Sequence, residues 1–310
     1  MQLRMLVAVV EEGSVQKAAE RVFRTAPAVS MALRKLEVEI GSPVFDRSER
    51  REHALTQAGT VLVDYARRML ALHDEALSAV QEINTGYSGR LRIGTSESIN
   101  LYLLPQLMQA FHQLCPEVKL EVTCGHSDAL LLALSQHRLD IALVAYRPGD
   151  QDLEIHLLMA DDLVVIMSPE HALASRELLH ISDLSSESII IEGDASSLHE
   201  TVVETFRRFH TPLHVRVESE TIEAIKRMVE RKLGVGIVPR MCVREEGESG
   251  KLKVKPIEEF HEERTLWAVR KRSDNHPPSA QVFMEVTKSL RKEEMLTTRC
   301  DSDARRFSKV

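Results

Sequence analysis

The sequence has few aromatic residues, few cysteines and no long apolar run. Only 4% of its 310 residues are aromatic, a single one of them tryptophan, and four are cysteines. No apolar stretch approaches the roughly 18 residues that a membrane-spanning helix requires. Near the amino terminus Arg4 is followed by Glu11 and Glu12, unlike the basic start and apolar core of a secretory signal. These absences predict a cytoplasmic protein that has no membrane partner.

The cysteines and histidines show no spacing that is typical of a disulfide framework or a metal centre. The cysteines are Cys115, Cys124, Cys242 and Cys300. They contain no CxxC pair, which fits structural thiols in a reducing compartment and leaves a thiol-based redox sensor as the alternative. His210 with His214, or Cys115 with Cys124, lacks the second pair of ligands that a zinc site needs. We therefore predict no metal and no cofactor.

Catalytic patterns are missing as well. The chain contains no G-x-S-x-G, the motif that places a serine nucleophile at a sharp strand-to-helix turn. The composition, 43% hydrophobic and 28% charged, is that of an ordinary globular protein. We predict a protein that is not an enzyme, and a length of 310 residues allows two or three domains.

Acidic residues are unevenly distributed along the chain. The formal net charge is −7, yet residues 1–60 hold nine Lys and Arg against eight Asp and Glu. Residues 291–310 hold six against four, so the excess acid lies between these segments. A weakly basic first segment is compatible with DNA binding, but its affinity alone would be weak and sensitive to salt. Pairing of two such segments is therefore expected.

Residues 13–39 predict two short helices joined by a tight corner. Ser14 is a good N-cap residue, and Ala18, Ala19 and Val22 follow it at helical spacing. Because these side chains are small, the first helix can cross its neighbour closely. The corner consists of Phe23, Arg24 and Thr25.

The second helix of the pair begins at this corner. Thr25 is its predicted cap, and Pro27 lies in the first turn, where a missing N–H costs little. The predicted apolar face consists of Val29, Ala32, Leu33 and Leu36, and the outward face of Ala26, Ala28, Ser30, Met31, Arg34 and Lys35. Small, hydroxyl and cationic side chains suit entry into a major groove. The pattern favours a helix-turn-helix, with an ordinary helical hairpin as the alternative.

The residues after the helix pair predict a two-stranded wing. Gly41 ends the second helix, residues 43–47 start the wing, and residues 55–59 return to a helix that Thr56 caps. Arginines at the tip would contact phosphates and the minor groove. The full set of predicted DNA-contacting residues is Ser14, Arg24, Thr25, Ala26, Pro27, Ala28, Ser30, Met31, Arg34, Lys35, Arg47, Arg50 and Arg51.

The run AAERVFRTAPAVSMALRKLEVEIGSPVFDR, followed by LTQAG, resembles the LysR-type transcriptional regulators. The resemblance implies a winged helix-turn-helix over residues 1–57, double-stranded promoter DNA as partner, and control by a small-molecule effector. The family usually carries Ser-Gln-Pro-Ala at the start of the recognition helix, where this chain has Thr25-Ala26-Pro27-Ala28. Ala26 removes an amide that reads a base edge. Either the operator is unusual or Arg24 and Met31 make more of the contacts.

A heptad pattern follows the wing. The apolar residues are Leu62, Tyr65, Met69, Leu72, Ala76, Ala79 and Ile83. They recur every three or four residues, which predicts a linker helix over residues 58–86 and a homodimer. Packing of a single helix on its own domain is the alternative. A dimer would place two recognition helices on successive major-groove faces, about 34 Å apart.

Beyond residues 86–89, which are predicted to act as a hinge, strands and helices alternate. This order predicts parallel sheets covered on both faces, in two α/β lobes within residues 90–292. Lobe 1 is expected over about 90–159 and 265–292, and lobe 2 over about 160–264. The segment resembles the effector-binding half of LysR-type regulators, which has the fold of type 2 periplasmic binding proteins. Residues 293–310 lack an apolar pattern and are predicted to be disordered.

Hydroxyl residues follow several of the predicted strands, at the starts of helices. Ligands in α/β folds bind at such carboxyl ends of strands, where helix N-termini favour a small anion. The resemblance places the effector in the cleft between the lobes. The predicted effector-binding residues are Ser96, Ser98, His126, Ser127, Arg147, Ser197 and Thr221. Helix capping is the alternative role for the hydroxyls, and a plain surface position beside Pro148 is the alternative for Arg147.

We therefore predict a sequence-specific DNA-binding transcriptional regulator. A solute-binding protein of the same two-lobed fold would account for the second part of the chain but not for the helix-turn-helix or the heptads. The resemblance implies a homodimer or homotetramer that binds promoter DNA and contacts RNA polymerase.

Overall fold

The computed structural model describes residues 1–46, 54–85, 88–194, 196–260, 264–272 and 276–289, apart from the side chains of 75 and 78–88. The chain forms two compact units, one of residues 1–86 and 135–138 and the other of residues 87–134 and 139–310. Each unit has its own apolar core.

The described part of the first unit contains four helices. They are α1 (Gln2–Glu12), α2 (Val15–Arg21), α3 (Ala26–Ile40) and α4 (Gln57–Thr85). Helix α1 was not among the predicted elements, although Met5, Leu6 and Val9 give it a buried stripe at helical spacing. It ends at Gly13, whose φ of 62° is the left-handed conformation that glycine adopts without strain.

Helices α2 and α3 cross closely, as their small residues predict. Ala18 and Ala19 of α2 are fully or almost fully buried, and so is Val29 of α3. Leu33 and Leu36 extend the same buried face. Helix α3 ends at Gly41, which has a φ of 70°.

The wing begins where the prediction placed it. Phe45 and Leu55 form an antiparallel bridge, and the Asp46 N–H donates to the Ala54 carbonyl at 2.7 Å. The Glu37 carboxylate accepts the Val44 N–H at 2.9 Å, which ties this strand to α3. The wing arginines Arg47, Arg50 and Arg51 lie outside the described residues.

Helix α4 is partly buried in the first unit and partly exposed. Val63 and Ala66 are buried in its core. Tyr65, Met69 and Leu72 are 53%, 48% and 59% exposed, so three members of the heptad pattern form an uncovered apolar stripe. Leu62 does not belong to this stripe, because it packs against the core; Val61, 55% exposed, takes its place. The side chains of Ala79 and Ile83 are not described.

Ten strands in the described part of the second unit form two five-stranded sheets. The first sheet has the order β2-β1-β3-β10-β4. Its strands are β1 (Ser88–Thr95), β2 (Glu117–Cys124), β3 (Ile141–Val144), β4 (Leu153–Ala160) and β10 (Thr265–Lys271). The helices α5 (Glu97–Tyr102), α6 (Leu104–Leu114), α7 (Ser127–Ser135) and a helix over 278–289 belong to the same part of the chain.

The second sheet has the order β7-β6-β8-β5-β9. Its strands are β5 (Leu163–Met167), β6 (Ile189–Glu192), β7 (Val215–Ser219), β8 (Val235–Pro239) and β9 (Lys253–Pro256). Helices α8 (Ser197–Arg208), α9 (Ile222–Glu230) and α10 (Arg244–Glu248) accompany it. Strand β5 is buried on both faces, because Val165 packs into one apolar cluster and Val164 and Ile166 into another.

The prediction of parallel sheets was wrong in part. Strands β1, β2 and β3 are parallel, and so are β6, β7 and β8. Strand β10 runs antiparallel to β3 and β4, and β5 runs antiparallel to β8 and β9. The reason is topological: the chain leaves the first sheet after β4 and returns as β10, so the strands at these crossings enter without a βαβ connection. The predicted domain and lobe boundaries stay predictions.

A substitution at Gly59 tests the packing of the first unit. A Cβ atom there would lie 2.1 Å from the backbone oxygen of Val44, in a buried position. We expect Gly59→Ala to lower the free energy of unfolding by roughly 1–3 kcal/mol, as overpacking does. Urea unfolding followed by helix content measures this. The matched control is Gly149→Ala, since a Cβ atom there meets nothing within 4 Å. Equal stability of the two variants would contradict this packing.

Candidate functional site

The surface of α3 carries cations that no described acidic side chain neutralises. Arg24, at the preceding corner, and Arg34 and Lys35 are exposed, and none of them forms an ion pair with a described residue. The nearby acids Glu11 and Glu12 are engaged instead by Arg21, at 2.8 and 3.1 Å. These three exposed cations therefore remain available for contact with phosphates.

The other predicted DNA-contacting residues differ in exposure. Thr25 and Pro27 are exposed and Met31 is 71% exposed, whereas Ser14, Ala26, Ala28 and Ser30 are half-buried. Ser14 and Thr25 occupy the N-cap positions of α2 and α3, but neither side chain makes a capping hydrogen bond. Helix capping by the side chain therefore does not explain why hydroxyl residues occupy these two positions.

The corner between α2 and α3 holds a strained residue. Phe23 has a φ of 54°, in the region that favours glycine, and its ring is 91% exposed. Its N–H donates to the Glu20 carbonyl at 3.1 Å, and the next N–H, of Arg24, donates to Ala19 at 2.9 Å. Hydrogen bonds at the end of α2, rather than burial of the ring, therefore hold a conformation that costs on the order of 1 kcal/mol.

The second unit contains a cavity of about 600 Å³ at the carboxyl ends of parallel strands from both sheets. Strand β1 ends at Thr95 and β2 at Cys124 on one side, and β6 ends at Glu192 and β7 at Ser219 on the other. Each of these ends is followed by the start of a helix, so backbone N–H groups converge on the cavity. Its lining includes Ser96, Ser98, His126, Ser127, Ser197 and Thr221, six of the seven predicted effector-binding residues.

Several hydroxyl groups that line the cavity already form hydrogen bonds within the protein. Thr221 accepts the Ala224 N–H at 3.2 Å, Ser127 accepts the Ala145 N–H at 3.3 Å, and Ser98 accepts a guanidinium N–H of Arg264 at 2.7 Å. Ser96, the N-cap residue of α5, makes no capping hydrogen bond, and its Oγ lies 3.4 Å from that of Ser98. Their assignment to ligand binding stays a prediction, with capping as the role that the contacts of Thr221 support.

Arg147 lies outside this lining. Its guanidinium carbon is 5.5 Å from the ring centre of Trp267, a residue of β10. The side chain is exposed and packs on that ring as a cation–π pair. Ala145, which directly follows β3, lines the cavity. Two residues later, the Arg147 side chain packs on the Trp267 indole instead of entering the cavity.

Arg264 was missed by sequence reasoning, although it is the best-connected residue of the cavity. Its side chain is 8% exposed and forms an ion pair with Asp161, which is 2% exposed. The second carboxylate oxygen of Asp161 accepts the Met241 N–H at 3.1 Å. Because Asp161 lies where the chain leaves the first sheet and Arg264 where it returns, the pair joins both crossings. No recognised sequence motif marks Asp161 or Arg264, so the pair was not predicted.

A second polar cluster links helices that belong to different sheets. Lys226 of α9 is 2% exposed; it donates to the Tyr102 hydroxyl at 3.0 Å, to the Cys242 carbonyl at 2.9 Å, and to Glu223. The Tyr102 hydroxyl, on α5, donates to Glu223. Burial alone would lower the pKa of Lys226, but its carboxylate partners, Glu223 and Glu246, raise it. The ammonium is therefore held charged.

Acidic side chains around the cavity were also missed. They are Glu97, Glu192, Asp194, Glu218 and Glu220. Glu97 accepts the Ile222 N–H at 3.0 Å, across the cleft. Glu192 follows three buried isoleucines, so the sequence could have placed it at a strand end. The residues predicted at such ends were hydroxyl residues, His126 and Arg147, and no acid was among them.

The thiols give little support to redox sensing. Cys115 and Cys242 are buried, Cys124 lies at the cavity, and Cys300 is outside the described residues. Burial raises the pKa of the Cys124 thiol, and the charge of Glu97 raises it further. A raised pKa reduces the thiolate fraction, on which reactivity depends.

Within the described parts of the chain, no group of three or more His, Cys, Asp and Glu side chains has a geometry that would hold a metal ion. Over the same residues, no helix is both long and apolar enough to cross a membrane.

Comparison with known proteins gives two family matches that together span most of the chain. Residues 1–60 match the bacterial regulatory helix-turn-helix protein, lysR family, and residues 84–291 match the LysR substrate binding domain. A probable RuBisCO transcriptional regulator of Cyanidioschyzon merolae is 30% identical over 279 residues, which cover 86% of this chain and 90% of that protein.

Solved structures show the same fold. A full-length OxyR variant from Pseudomonas aeruginosa aligns with a TM-score of 0.72 at 24% identity, over 94% of this chain and 93% of that one. The regulatory domain of Synechocystis CcmR, in complex with 2-PG, aligns with a TM-score of 0.61 at 24% identity, over 66% of this chain and 98% of that one. The predicted fold class is confirmed.

Removing Arg264 tests the buried pair. We expect Arg264→Met to lower the free energy of unfolding of the second unit by about 3–5 kcal/mol, because the Asp161 charge is left buried without a partner. Adding Asp161→Asn removes that charge and should recover part of the loss. Denaturant unfolding measures both.

The control for this pair is Arg240→Met. Arg240 and Asp162 form a surface pair at 3.7 Å, with the arginine 49% exposed. Such pairs contribute about 0–1 kcal/mol. Strictly additive losses for the two substitutions at Arg264 and Asp161 would show that the buried carboxylate does not depend on Arg264.

Proposed function

The chain belongs to the LysR family of bacterial transcriptional regulators, as its resemblance predicted, and on that premise we propose how it reads DNA and responds to a ligand. It binds promoter DNA through α2 and α3, as a homodimer or homotetramer, in the cytoplasm. A small molecule in the cavity controls this binding. It acts by binding rather than by catalysis, which the regulatory names of its relatives support.

The observation that carries the DNA-binding proposal is the set of exposed cations on and beside α3. Arg24, Arg34 and Lys35 are exposed and free of ion pairs among the described residues, while Arg21 is held by Glu11 and Glu12. Helix α3 is thereby the recognition helix, with its cations on phosphates or base edges and Met31 in apolar contact. The wing arginines would add further phosphate contacts.

A dimer follows from two features of the first unit. Its net basic charge is small, so one unit alone would bind DNA weakly at physiological salt. The apolar stripe of Val61, Tyr65, Met69 and Leu72 is uncovered on α4 and repeats at heptad spacing. A second copy of this helix is the partner that a heptad stripe fits, and the resulting two-fold axis would space the recognition helices for successive major-groove faces.

The cavity is the proposed effector site. Its lining comes from both sheets, so a ligand that contacts both sides would favour a closed arrangement over an open one. The effector shifts this balance only by its differential affinity for the two arrangements. Transmission to the paired DNA-binding units, and from there to RNA polymerase, would proceed through the relative placement of subunits.

Selection of bound fragments from the source genome is the experiment that tests the regulator function. Purified full-length protein is mixed with sheared genomic DNA at a stated salt concentration, and the retained fragments are sequenced. We expect enrichment of a two-fold-symmetric site. Retention of random fragments, without a common site, would overturn sequence-specific binding.

Arg34 tests the recognition helix. We expect Arg34→Ala to weaken operator binding by about 1–3 kcal/mol, and to reduce the salt slope of binding by about one if the contact is to a phosphate. Fluorescence anisotropy at several salt concentrations measures both. The control is Arg21→Ala, because that guanidinium is already paired with acids. Equal losses in the two variants would mean that α3 has no special part in binding.

Leu72 tests the dimer. It is 59% exposed and is the last described member of the α4 stripe. We expect Leu72→Asp to shift the protein toward monomers and to weaken operator binding at least tenfold, because two like charges would face each other in a heptad interface. Analytical ultracentrifugation measures the shift. Thr60→Asp is the control, since Thr60 is exposed on α4 but lies off the stripe. An unchanged sedimentation coefficient for Leu72→Asp would remove this face from the interface.

A further inference from the structure

The lining of the effector cavity is strongly acidic. Glu97, Glu192, Asp194, Glu218 and Glu220 contribute carboxylates. Arg264 is the single Lys or Arg among the described lining residues, and its guanidinium is already paired with Asp161 and bonded to Ser98. His126 is the remaining ionisable base of that described lining. The cavity therefore presents more negative than positive side chains.

Among the described residues, these carboxylates have no cationic partner of their own. None of the five forms an ion pair with a residue in the described part of the chain. Asp194, Glu218 and Glu220 are exposed, whereas Glu97 and Glu192 are half-buried. Two acids outside the cavity are paired: Glu204 pairs with Arg207 at 3.0 Å, and Glu230 pairs with Arg227 at 3.1 Å. The acids of the cavity are concentrated where a ligand would sit.

Helix N-termini oppose this charge but do not cancel it. Helices α5, α7, α8 and α9 start at the cavity, and each contributes at most about half a positive charge. The four together amount to roughly two positive charges, against five carboxylates. Two of these starts are also occupied, since Ser196, Thr221 and Glu97 already accept N–H groups of α8 and α9.

Two of these carboxylates have raised pKa values. Burial raises the pKa of Glu192 and the negative charge of Glu97 adds to the rise, while a hydrogen bond from Ser196 and the charges of Arg264 and His126 oppose it without cancelling it. Burial also raises the pKa of Glu97, with Glu223 adding to the effect. A further positive group close to both carboxylates would lower both pKa values, because it favours the ionised forms.

On the premise of the proposed effector site, we propose that the effector is a small organic cation, carrying an ammonium or guanidinium group that Glu97 and Glu192 bind. This replaces the small anion that the helix starts alone predicted. The carboxylates that line the cavity do not converge as metal ligands among the described residues, so an extended amine fits them better than a metal ion. The helix N-termini remain able to hold a carboxylate on the same ligand, which makes an amino acid one member of the class.

Four probes of the same chain length test this charge preference. They are 1,5-diaminopentane, 5-aminopentanoate, glutarate and 1,5-pentanediol, each titrated calorimetrically into the full-length protein at matched ionic strength. We expect the diamine, and the aminopentanoate if the helix starts hold its carboxylate, to bind at least tenfold more tightly than glutarate and the diol. Tighter binding of glutarate than of the diamine would overturn the proposal, and so would failure of both amines to bind.

Glu192→Gln identifies the group that holds the cation. It should weaken binding of the diamine about tenfold, the loss expected when a charge-assisted hydrogen bond becomes a neutral one. It should also raise the melting temperature of the ligand-free protein, because a half-buried negative charge near that of Glu97 is removed. Glu204→Gln on the surface of α8 is the control and should leave diamine affinity unchanged. Equal diamine affinity in Glu192→Gln and the wild type would overturn the assignment.

The same protein samples are assayed for retention of genomic fragments, which separates the two proposals. Specific DNA retention together with a preference for glutarate would overturn the proposal of a cationic effector but not the regulator function. Amine binding without specific DNA retention would overturn the regulator function but not the proposed ligand class.

Discussion

The ion pair between Arg264 and Asp161 is the interaction on which the second unit depends. Both side chains are almost fully buried, one at each point where the chain passes between the sheets. Isolated charges in such a place would each cost several kcal/mol, so the pair persists only because each partner has further hydrogen bonds. Asp161 accepts the Met241 N–H and Arg264 donates to Ser98. The crossings, and with them the cavity, are thereby fixed.

This pair also decides the electrostatics of the cavity. An arginine at the base of a ligand site would ordinarily favour an anion, but the Arg264 charge is compensated from behind by Asp161. Among the described lining residues, the carboxylates then outnumber the cations, and Glu97 and Glu192 are the half-buried ones. Because α5 and α9 are also linked through Tyr102, Glu223 and Lys226, the charge state of the cavity and the contact between the two sheets involve neighbouring residues. A ligand that changes one can change the other.

In each unit, buried residues position the charged side chains that the proposed function requires. In the first unit, small residues such as Ala18 and Ala19 allow a close helix crossing that leaves the cations of α3 outside. In the second, the buried β-branched strand β6 carries Glu192 and the start of α8 to the cavity. DNA contact needs exposed positive charge, whereas ligand capture needs charge partly removed from water. The distribution of acid along the chain, with a slightly basic start and an acidic body, follows from that difference.

Local sequence determined the helix-turn-helix, the family and the alternation of strands and helices, because capping residues, small-residue spacing and apolar periodicity act over a few neighbouring positions. Helix α1 was not predicted, although Met5, Leu6 and Val9 form an apolar stripe at helical spacing. The edge strand β9 was not predicted either, because Lys253 and Lys255 interrupt its apolar residues. Six of the hydroxyl and histidine residues predicted at strand ends line the cavity, whereas Arg147 packs against Trp267 outside it; their role in ligand binding stays a prediction. Tertiary structure alone decided that β10 enters antiparallel, that Asp161 neutralises Arg264, and that five acids share one cavity. These depend on residues about a hundred positions apart, and the sign of a site's charge is a sum over groups that only the folded chain brings together.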